Sequence, residues 1–548
     1  MVVLVVATTG EGDATDNARK FNRFLTSKST PADALRGLKY TVFGLGDLNY
    51  INFNQMGKRT ELNMDRLGAV KVYPRGIGDA SQDIEADLRK WIDGGLVIAV
   101  KENLPCSKPL KSGLPDLLEM LNVSRVGDTV QEFEEFRRSS RTGMGTLSKV
   151  FWTLEEASIV SNSELRQISS ETSSTRELAI RLGEQNSEKY HACDTIEILP
   201  KNSAEIIDWA LKFFDEKDRI IDFSDGPTPF PTPCSLSRAL LQYMDLSCCP
   251  SASFLENLSV VNHKNPPIQE ALASLANDAN LCKEMEKHFV TFPLLMELFE
   301  HHFGTRVQLS ISQFFQIGPK QKIRAYTGAG FNANSLRIVA SLTSTTSPPL
   351  DVFIDKLVLA CILPPAKPFI RSKTVFKGLC TSFLTRVSPD EKILVRVRKS
   401  ALRPPCQPPR HFLAICTGAG IAPFMAYIDW FQQIDHWPES TVLVFGCRNP
   451  DTDFIYNETL SRLNSKGKIR ALFAFSRKSS KRIYVQDIIK EDRGVHKILH
   501  ADSSRKIIVC GSTPMARSVS QLLATHLGGQ SALEQLEKDG TLSVEYFG

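Results

Sequence analysis

The 548-residue chain lacks any apolar run of the roughly 18–20 residues that a membrane helix needs. Its 12 cysteines contain no C-x-x-C pair. Cys and His never fall at zinc-ligand spacing, so no metal site is expected. No block of Lys or Arg dominates, and the net charge is only +5, so no nucleic-acid partner is expected. There is no internal repeat and no low-complexity tract. The apolar start, Met1–Ala7, has no basic n-region and no signal-cleavage pattern. The cysteines are scattered through apolar stretches, as reduced core thiols are, which leads us to expect a reducing, cytoplasmic setting.

The remaining composition, 42% hydrophobic and 23% charged, is that of an ordinary globular protein. At about 100–200 residues per domain the length suggests three or four domains. Residues 1–98 alternate apolar runs with helical patterns: strands at Val2–Ala7, Tyr40–Leu45 and Val70–Tyr73, helices at Asp16–Leu25, Met56–Leu67 and Ile84–Ile92. That alternation predicts a parallel sheet covered by helices, with Val2–Ala7 a buried strand. Residues 99–145 carry Pro105, Pro109, Pro115 and a charged stretch, and read as a linker. Residues 146–405 mix strand-like runs, Thr195–Leu199 and Leu336–Leu342, with a helical interval at about 235–302. From 406 to 548 the α/β alternation returns, with parallel strands expected at Phe412–Cys416, Thr441–Gly446, Ile469–Phe475 and Lys506–Gly511.

The C-terminal part holds the densest chemistry. Cys416-Thr417-Gly418-Ala419-Gly420 closes a strand and opens a helix, where glycines let a pyrophosphate approach backbone N–H groups. Gly446-Cys447-Arg448 ends the next strand. Then come Ser476-Arg477, Arg482-Ile483-Tyr484-Val485-Gln486 and Val509-Cys510-Gly511. The basic cluster at 477–482 suits a dianionic phosphate, which wants guanidinium forks and hydroxyls; taken alone it is equally a solvated face.

In this order the motifs resemble the NADP domain of the ferredoxin–NADP reductase superfamily, above all its diflavin branch. The fold implied is multidomain α/β: a partial flavodoxin-like domain, an FAD-binding β-barrel with a helical insert, and a ferredoxin–NADP reductase-like NADP-binding domain. The resemblance implies that Ser476, Arg477, Arg482, Tyr484 and Gln486 grip the adenosine 2′-phosphate of NADPH. Gly418, Gly420, Cys447 and Arg448 complete that site. Upstream, Arg324-Ala325-Tyr326-Thr327 resembles the family's Arg-x-Tyr-Ser/Thr. There the Arg neutralises the FAD pyrophosphate, the Tyr packs on the flavin ring and the hydroxyl lies near its reactive nitrogen. Gly378-Leu379-Cys380-Thr381 resembles the second phosphate turn. The chain ends Glu545-Tyr546-Phe547-Gly548, and the resemblance makes Phe547 a shield over the flavin. Thr327, Cys510 and Glu545 then surround the point of hydride transfer.

At the N-terminus, Ala7-Thr8-Thr9-Gly10-Glu11-Gly12-Asp13 and Gly44-Leu45-Gly46-Asp47-Leu48-Asn49-Tyr50 resemble the second and third FMN loops. This implies FMN contacts from Thr8, Thr9, Gly10, Gly12, Gly46, Asp47, Tyr50, Asn54 and Asp79. The family's first strand, first helix and Ser/Thr-rich phosphate loop have no counterpart here, and the expectation is that the natural start lies upstream. Ala419 stands where the family has Thr, Cys193 where it has Gly and Ser512 where it has Asp, and Leu336–Leu342 offers no aromatic to stack on the FAD adenine. The function implied is an NADPH-dependent reductase passing electrons through FAD, and FMN if bound, to a haem or iron–sulfur protein. Two rivals are a single-flavin NADPH dehydrogenase and a non-catalytic docking subunit.

Overall fold

The computed structural model describes residues 1–9, 12–15, 18–48, 52–80, 84–103, 123–125, 151–170, 173–183, 190–223, 229–332, 335–366, 369, 375–400, 402–479, 482–501 and 504–547. At the N-terminus, β1 (Val2–Thr9), α1 (Arg19–Thr26), β2 (Lys39–Gly46), α2 (Gln55–Arg66), β3 (Gly76–Asp79) and α3 (Ile84–Trp91) follow one another. β2 is central, paired in parallel with β1 from Val2↔Tyr40 to Ala7↔Leu45 and with β3 from Phe43↔Gly76 to Gly46↔Asp79. One sheet face buries Leu4, Val6, Tyr40 and Val42 against Met56 and Met64 of α2. The other packs Phe43 on Trp91 of α3, ring centroids 5.2 Å apart.

The expectation of a buried first strand holds for only one face of β1. Val3 is 43% exposed and Val5 55%. Among the described residues the outer edge of β1 is paired only at Thr8 and Thr9, by Asp13–Ala14. α1 and α2 cover the Tyr40 face, while on the other face α3 reaches Phe43 and leaves Val3 and Val5 open.

Most of residues 99–145 lies outside the described residues. Val123–Arg125 forms a short strand against Ile220–Phe223. The barrel comprises β4 (Glu155–Glu164), β5 (Thr175–Arg181), β6 (Thr195–Leu199), β7 (Arg324–Asn332), β8 (Ser335–Ser341) and β9 (Lys392–Arg398). It closes in the order β7-β8-β5-β4-β9-β6, with neighbours antiparallel. Period-two alternation drives this: Ile159, Leu178, Ile180, Ile196, Ile198, Leu336, Ile338 and Val395 fill the interior. Between β6 and β7 run helices whose starts are set by side-chain caps at Ser235, Ser251, Asp278 and Ser310. They share a core built on Leu255, Leu272, Leu295, Phe299 and Phe314. α4 (Leu379–Arg386) precedes β9 and closes the barrel with Phe383 and Leu384.

The last domain is a parallel five-stranded sheet. Its elements are β10 (His411–Thr417), α5 (Ala422–Gln433), β11 (Ser440–Cys447), β12 (Arg470–Phe475), β13 (Arg505–Ser512), α6 (Thr513–Leu527) and β14 (Leu542–Phe547). The strand order is β12-β11-β10-β13-β14. Continuous apolar runs such as Phe412–Cys416 suit strands buried on both faces. A shared core joins this domain to the barrel: Cys193, Ala329 and Val339 pack with Phe424, Ala426, Tyr427 and Ile428 of α5. No helix among the described residues is long and apolar enough to cross a membrane.

Candidate active site

The site grows from the meeting of β7 with β13 and β14. β7 pairs with β6 from Arg324↔Ile198 to Thr327↔Thr195, so Arg324 and Tyr326 share one face and Thr327 looks the other way. On the first face, the Tyr326 hydroxyl donates to Cys380 Sγ at 3.3 Å. Burial first, then Cys380, pushes the Tyr326 phenol well above its ordinary range. The contact seats β7 against the start of α4. Burial raises the Cys380 thiol to about 11, with nearby Arg324 acting the other way.

The N-cap of α4 is Gly378, which brings no side-chain cap, so an anion finds open N–H groups at Leu379 and Cys380. The Thr381 hydroxyl donates to the Gly378 carbonyl at 3.2 Å and accepts from the Thr343 N–H at 3.1 Å, which holds this turn in place. Among the described residues Arg324 donates only to the Lys322 carbonyl, at 2.9 Å. An uncapped helix start beside a half-buried guanidinium fits the pyrophosphate of FAD.

On the second face, Thr327 Oγ1 donates to Glu545 Oε2 at 2.6 Å. Glu545 lies on β14 directly beside Cys510 of β13, and Cys510 directly beside Cys416 of β10. All three therefore point from one side of the sheet toward the barrel. Burial raises the Glu545 carboxyl, against the Thr327 hydroxyl and Arg398, which favour its charged form. Cys510 is 1% exposed, and burial, followed by Glu545, pushes its thiol far up. It is a neutral, apolar wall rather than a nucleophile. The chain's last strand thus reaches the 324–327 segment and Cys510, as the sequence reading requires. Phe547 is paired with Ser512 through the backbone; its side chain lies outside the described residues.

The nucleotide turn runs from β10 into α5. Gly418 has φ 54°, and a Cβ on Gly420 would lie 2.7 Å from the Cys510 carbonyl carbon and 2.9 Å from the Gly511 nitrogen. Gly420 is thus demanded by the close approach of β13. Beyond the next two strands, Ser476 N–H donates to the Cys447 carbonyl at 3.1 Å and Arg477 N–H to Arg448 at 2.8 Å. This sets the two strand ends side by side. The Asp453 carboxylate accepts the N–H of Arg448 (3.2 Å) and of Asn449 (2.6 Å), fixing the loop. Arg477, Arg482 and Tyr484 are exposed. Neither guanidinium has a carboxylate partner among the described residues. Gln486 follows on the helix Val485–Glu491. Burial, then Asp453, pushes the Cys447 thiol up to about 12, with Arg166, just past β4, acting the other way. Arg166 is held by the hydroxyls of Thr175 (2.9 Å) and Ser173 (2.6 Å); the sequence reading missed it, having no motif around it.

The flavodoxin-like loops gather at the C-terminal ends of β1, β2 and β3, where such sheets bind ligands. Thr8 Oγ1 accepts the Met56 N–H at 3.1 Å, and Asp79 Oδ1 accepts the Leu48 N–H at 2.9 Å, next to Gly46 and Asp47. Gly12 has φ 93°. Asn54 turns inward, its Nδ2 donating to the Gly44 carbonyl at 2.7 Å. The side chain of Thr9, and Gly10 and Tyr50 altogether, lie outside the described residues. Leu48 also touches the last domain, its carbonyl accepting from Arg517 of α6 at 3.3 Å, so the third loop faces the domain that carries Cys510.

A flavodoxin-like sheet, a closed barrel with an open pyrophosphate cradle and a dinucleotide sheet together define a flavoprotein reductase. The comparisons agree segment by segment. The flavodoxin family model matches residues 1–91, the FAD binding domain 153–329 and the oxidoreductase NAD-binding domain 414–521. The chain is 26% identical to the NADPH–cytochrome P450 reductase of Cavia porcellus, over 98% of this chain and 78% of the relative. It is 25% identical to the enzymes of Homo sapiens (98% and 78%) and Dictyostelium discoideum (95% and 77%). In their order and extent these matches are those of the diflavin reductase family.

Proposed function

We propose that this chain oxidises NADPH at the junction of β7, β13 and β14 and passes the electrons through bound flavin to a haem protein. The observation that carries this is the 2.6 Å bond from Thr327 to Glu545, beside Cys510. It brings one hydroxyl and one carboxylate, from two domains, to the place where a nicotinamide entering over the Gly418–Gly420 turn meets a flavin held by β7. Bound FAD supplies the conversion of a two-electron donor into single-electron steps.

The chain's own residues bind, orient and exclude water. Arg477 and Arg482 take the 2′-phosphate of NADPH with Ser476, Tyr484 and Gln486, and Arg448 lies beside Cys447 at the same rim. Arg324 and the start of α4 (Leu379, Cys380, Thr381) hold the FAD pyrophosphate, with Tyr326 against the ring. Thr327 keeps its hydroxyl on the Glu545 carboxylate and so fixes both groups at the reacting edge. Buried Cys510 keeps that edge dry. Phe547, by the family resemblance, covers the flavin until nicotinamide displaces it. Thr8, Thr9, Gly12, Gly46, Asp47 and Asp79 form the rim that takes FMN. The same mapping divides the chain into 1–98, a linker at 99–145, the FAD-binding part at 146–405 and the NADP-binding part at 406–548.

The test is anaerobic mixing of the purified, flavin-loaded chain with NADPH, followed by addition of a haem protein such as cytochrome c. The expected result is bleaching of the flavin absorbance and then reduction of the haem. Bleaching without haem reduction favours a single-flavin dehydrogenase; a chain that retains no flavin at all favours the docking subunit.

A further inference from the structure

The helix that opens at the nucleotide turn, α5, does not rest only on its own sheet. Its outward face lies directly on β7, the strand that carries Arg324, Tyr326 and Thr327. Gly330 permits this, because a Cβ there would run into the Asp429 carboxylate of α5 and the Arg337 guanidinium. Gln433 at the end of α5 donates to the Phe331 carbonyl at 2.9 Å, and the Cys193 thiol meets the Pro423 carbonyl at 3.8 Å.

Across this seam runs one polar chain that alternates between the domains. Arg337, opposite Gly330 on β8, donates through Nη2 to Asp429 and, at 3.2 Å, to the Ala329 carbonyl. Its Nη1 donates to Glu177 of β5 at 3.1 Å. The same Glu177 oxygen accepts the hydroxyl of Tyr456, back in the last domain. The three charged side chains are only 21–23% exposed. An apolar seam would tolerate sliding by a fraction of a residue. A guanidinium forked between two carboxylates and a carbonyl fixes both the spacing and the angle.

We propose that Arg337 is a positioning residue for electron transfer from NADPH. By locking Asp429 of α5 to the barrel, it sets where the Gly418–Gly420 turn stands relative to Thr327. Arg337 touches neither nucleotide in this scheme and acts through α5. The proposal rests on the reading of β7 and that turn as the flavin and NADPH sites.

The test uses the full, FAD-loaded chain carrying Arg337→Met, Arg337→Lys or the near-isosteric Asp429→Asn. Flavin bleaching is followed anaerobically with saturating NADPH and, separately, with dithionite, which needs no docking site. The expected result for Arg337→Met and Asp429→Asn is a fall of roughly ten- to a hundredfold in the NADPH-driven rate, the scale of a small misplacement of reacting groups. The KM for NADPH, FAD content and dithionite rate stay near wild type, and Arg337→Lys recovers part of the rate. Wild-type NADPH rates in both Arg337→Met and Asp429→Asn overturn the proposal. So does a loss of FAD and of dithionite reduction in step with the NADPH rate, which assigns the lock to folding alone. A wild-type chain that dithionite bleaches and NADPH does not overturns the site reading itself, and the lock with it.

Discussion

Replacing Lys506 by Met removes a buried charge from under the strand that delivers Glu545. Lys506 lies on β13 and is 6% exposed. Its ammonium donates to the Gly540 carbonyl and the Ser543 hydroxyl, each at 2.7 Å, which ties down the start of β14. Burial lowers its pKa from 10.5 to about 8. With the folded value below the unfolded one, the folded state carries the cost of a buried charge at neutral pH. That cost is relieved as pH rises from about 8 toward 10.5, because the unfolded chain then holds the proton that the folded chain has lost. The full difference corresponds to roughly 3 kcal/mol, at about 1.4 kcal/mol per unit of pKa. Unfolding by urea at pH 7, 8, 9 and 10, followed in wild type and Lys506→Met, isolates the effect, since every other titrating group is common to both. Wild type gains roughly 2–3 kcal/mol on the variant between neutral pH and pH 10. Parallel pH profiles for the two proteins refute the reasoning, because they mean that Lys506 titrates normally in the folded chain.

Two further perturbations probe the nucleotide site. Gly420→Ala places a methyl against the Cys510 backbone, which cannot yield as a flexible side chain would. It should cost about 1–3 kcal/mol of stability and raise the KM for NADPH while leaving dithionite reduction of the flavin unchanged, as read from thermal melts and initial rates. Arg477→Ala and Arg482→Ala each remove a charged hydrogen-bond donor worth about 1.5–3 kcal/mol to a phosphate. Each should weaken NADPH by roughly tenfold or more at that energy with little effect on NADH, measured as the ratio of kcat/KM for the two nucleotides.

The C-terminal sheet was almost fully legible. Its strands are buried on both faces and punctuated by glycines, so Phe412–Cys416 and Thr441–Gly446 were placed to within a residue at either end. The insert's helices were legible through their helical spacing over about 235–302; the structure starts two of them at the Ser235 cap and at Pro266. The barrel's closure was not, since the pairing of β9 with β6 joins residues some two hundred positions apart, and local patterning carries no register. The exposure of Val3 and Val5 follows from the absence of the family's first strand and first helix, which the sequence already showed by having no counterpart to them. At the candidate site, Thr327, Cys510 and Glu545 stood out through motifs, and the structure brings them together. Arg166 and Arg337 did not, being single arginines in unremarkable strands and loops. Gly328 and Gly330 could have been read: glycines inside a strand signal the close approach of another backbone or side chain, which is the 192–194 backbone at Gly328 and α5 at Gly330.

The central claim is that NADPH delivers its electrons across the seam where Thr327 meets Glu545. Stopped-flow absorbance of the FAD-loaded chain, mixed anaerobically with NADPH, reads that event alone. Rapid loss of flavin absorbance that slows markedly when Thr327 and Glu545 are replaced together by Val and Gln, with FAD still bound, is the result predicted. A flavin that stays oxidised under NADPH, or one that bleaches at an unchanged rate in the double variant, contradicts it.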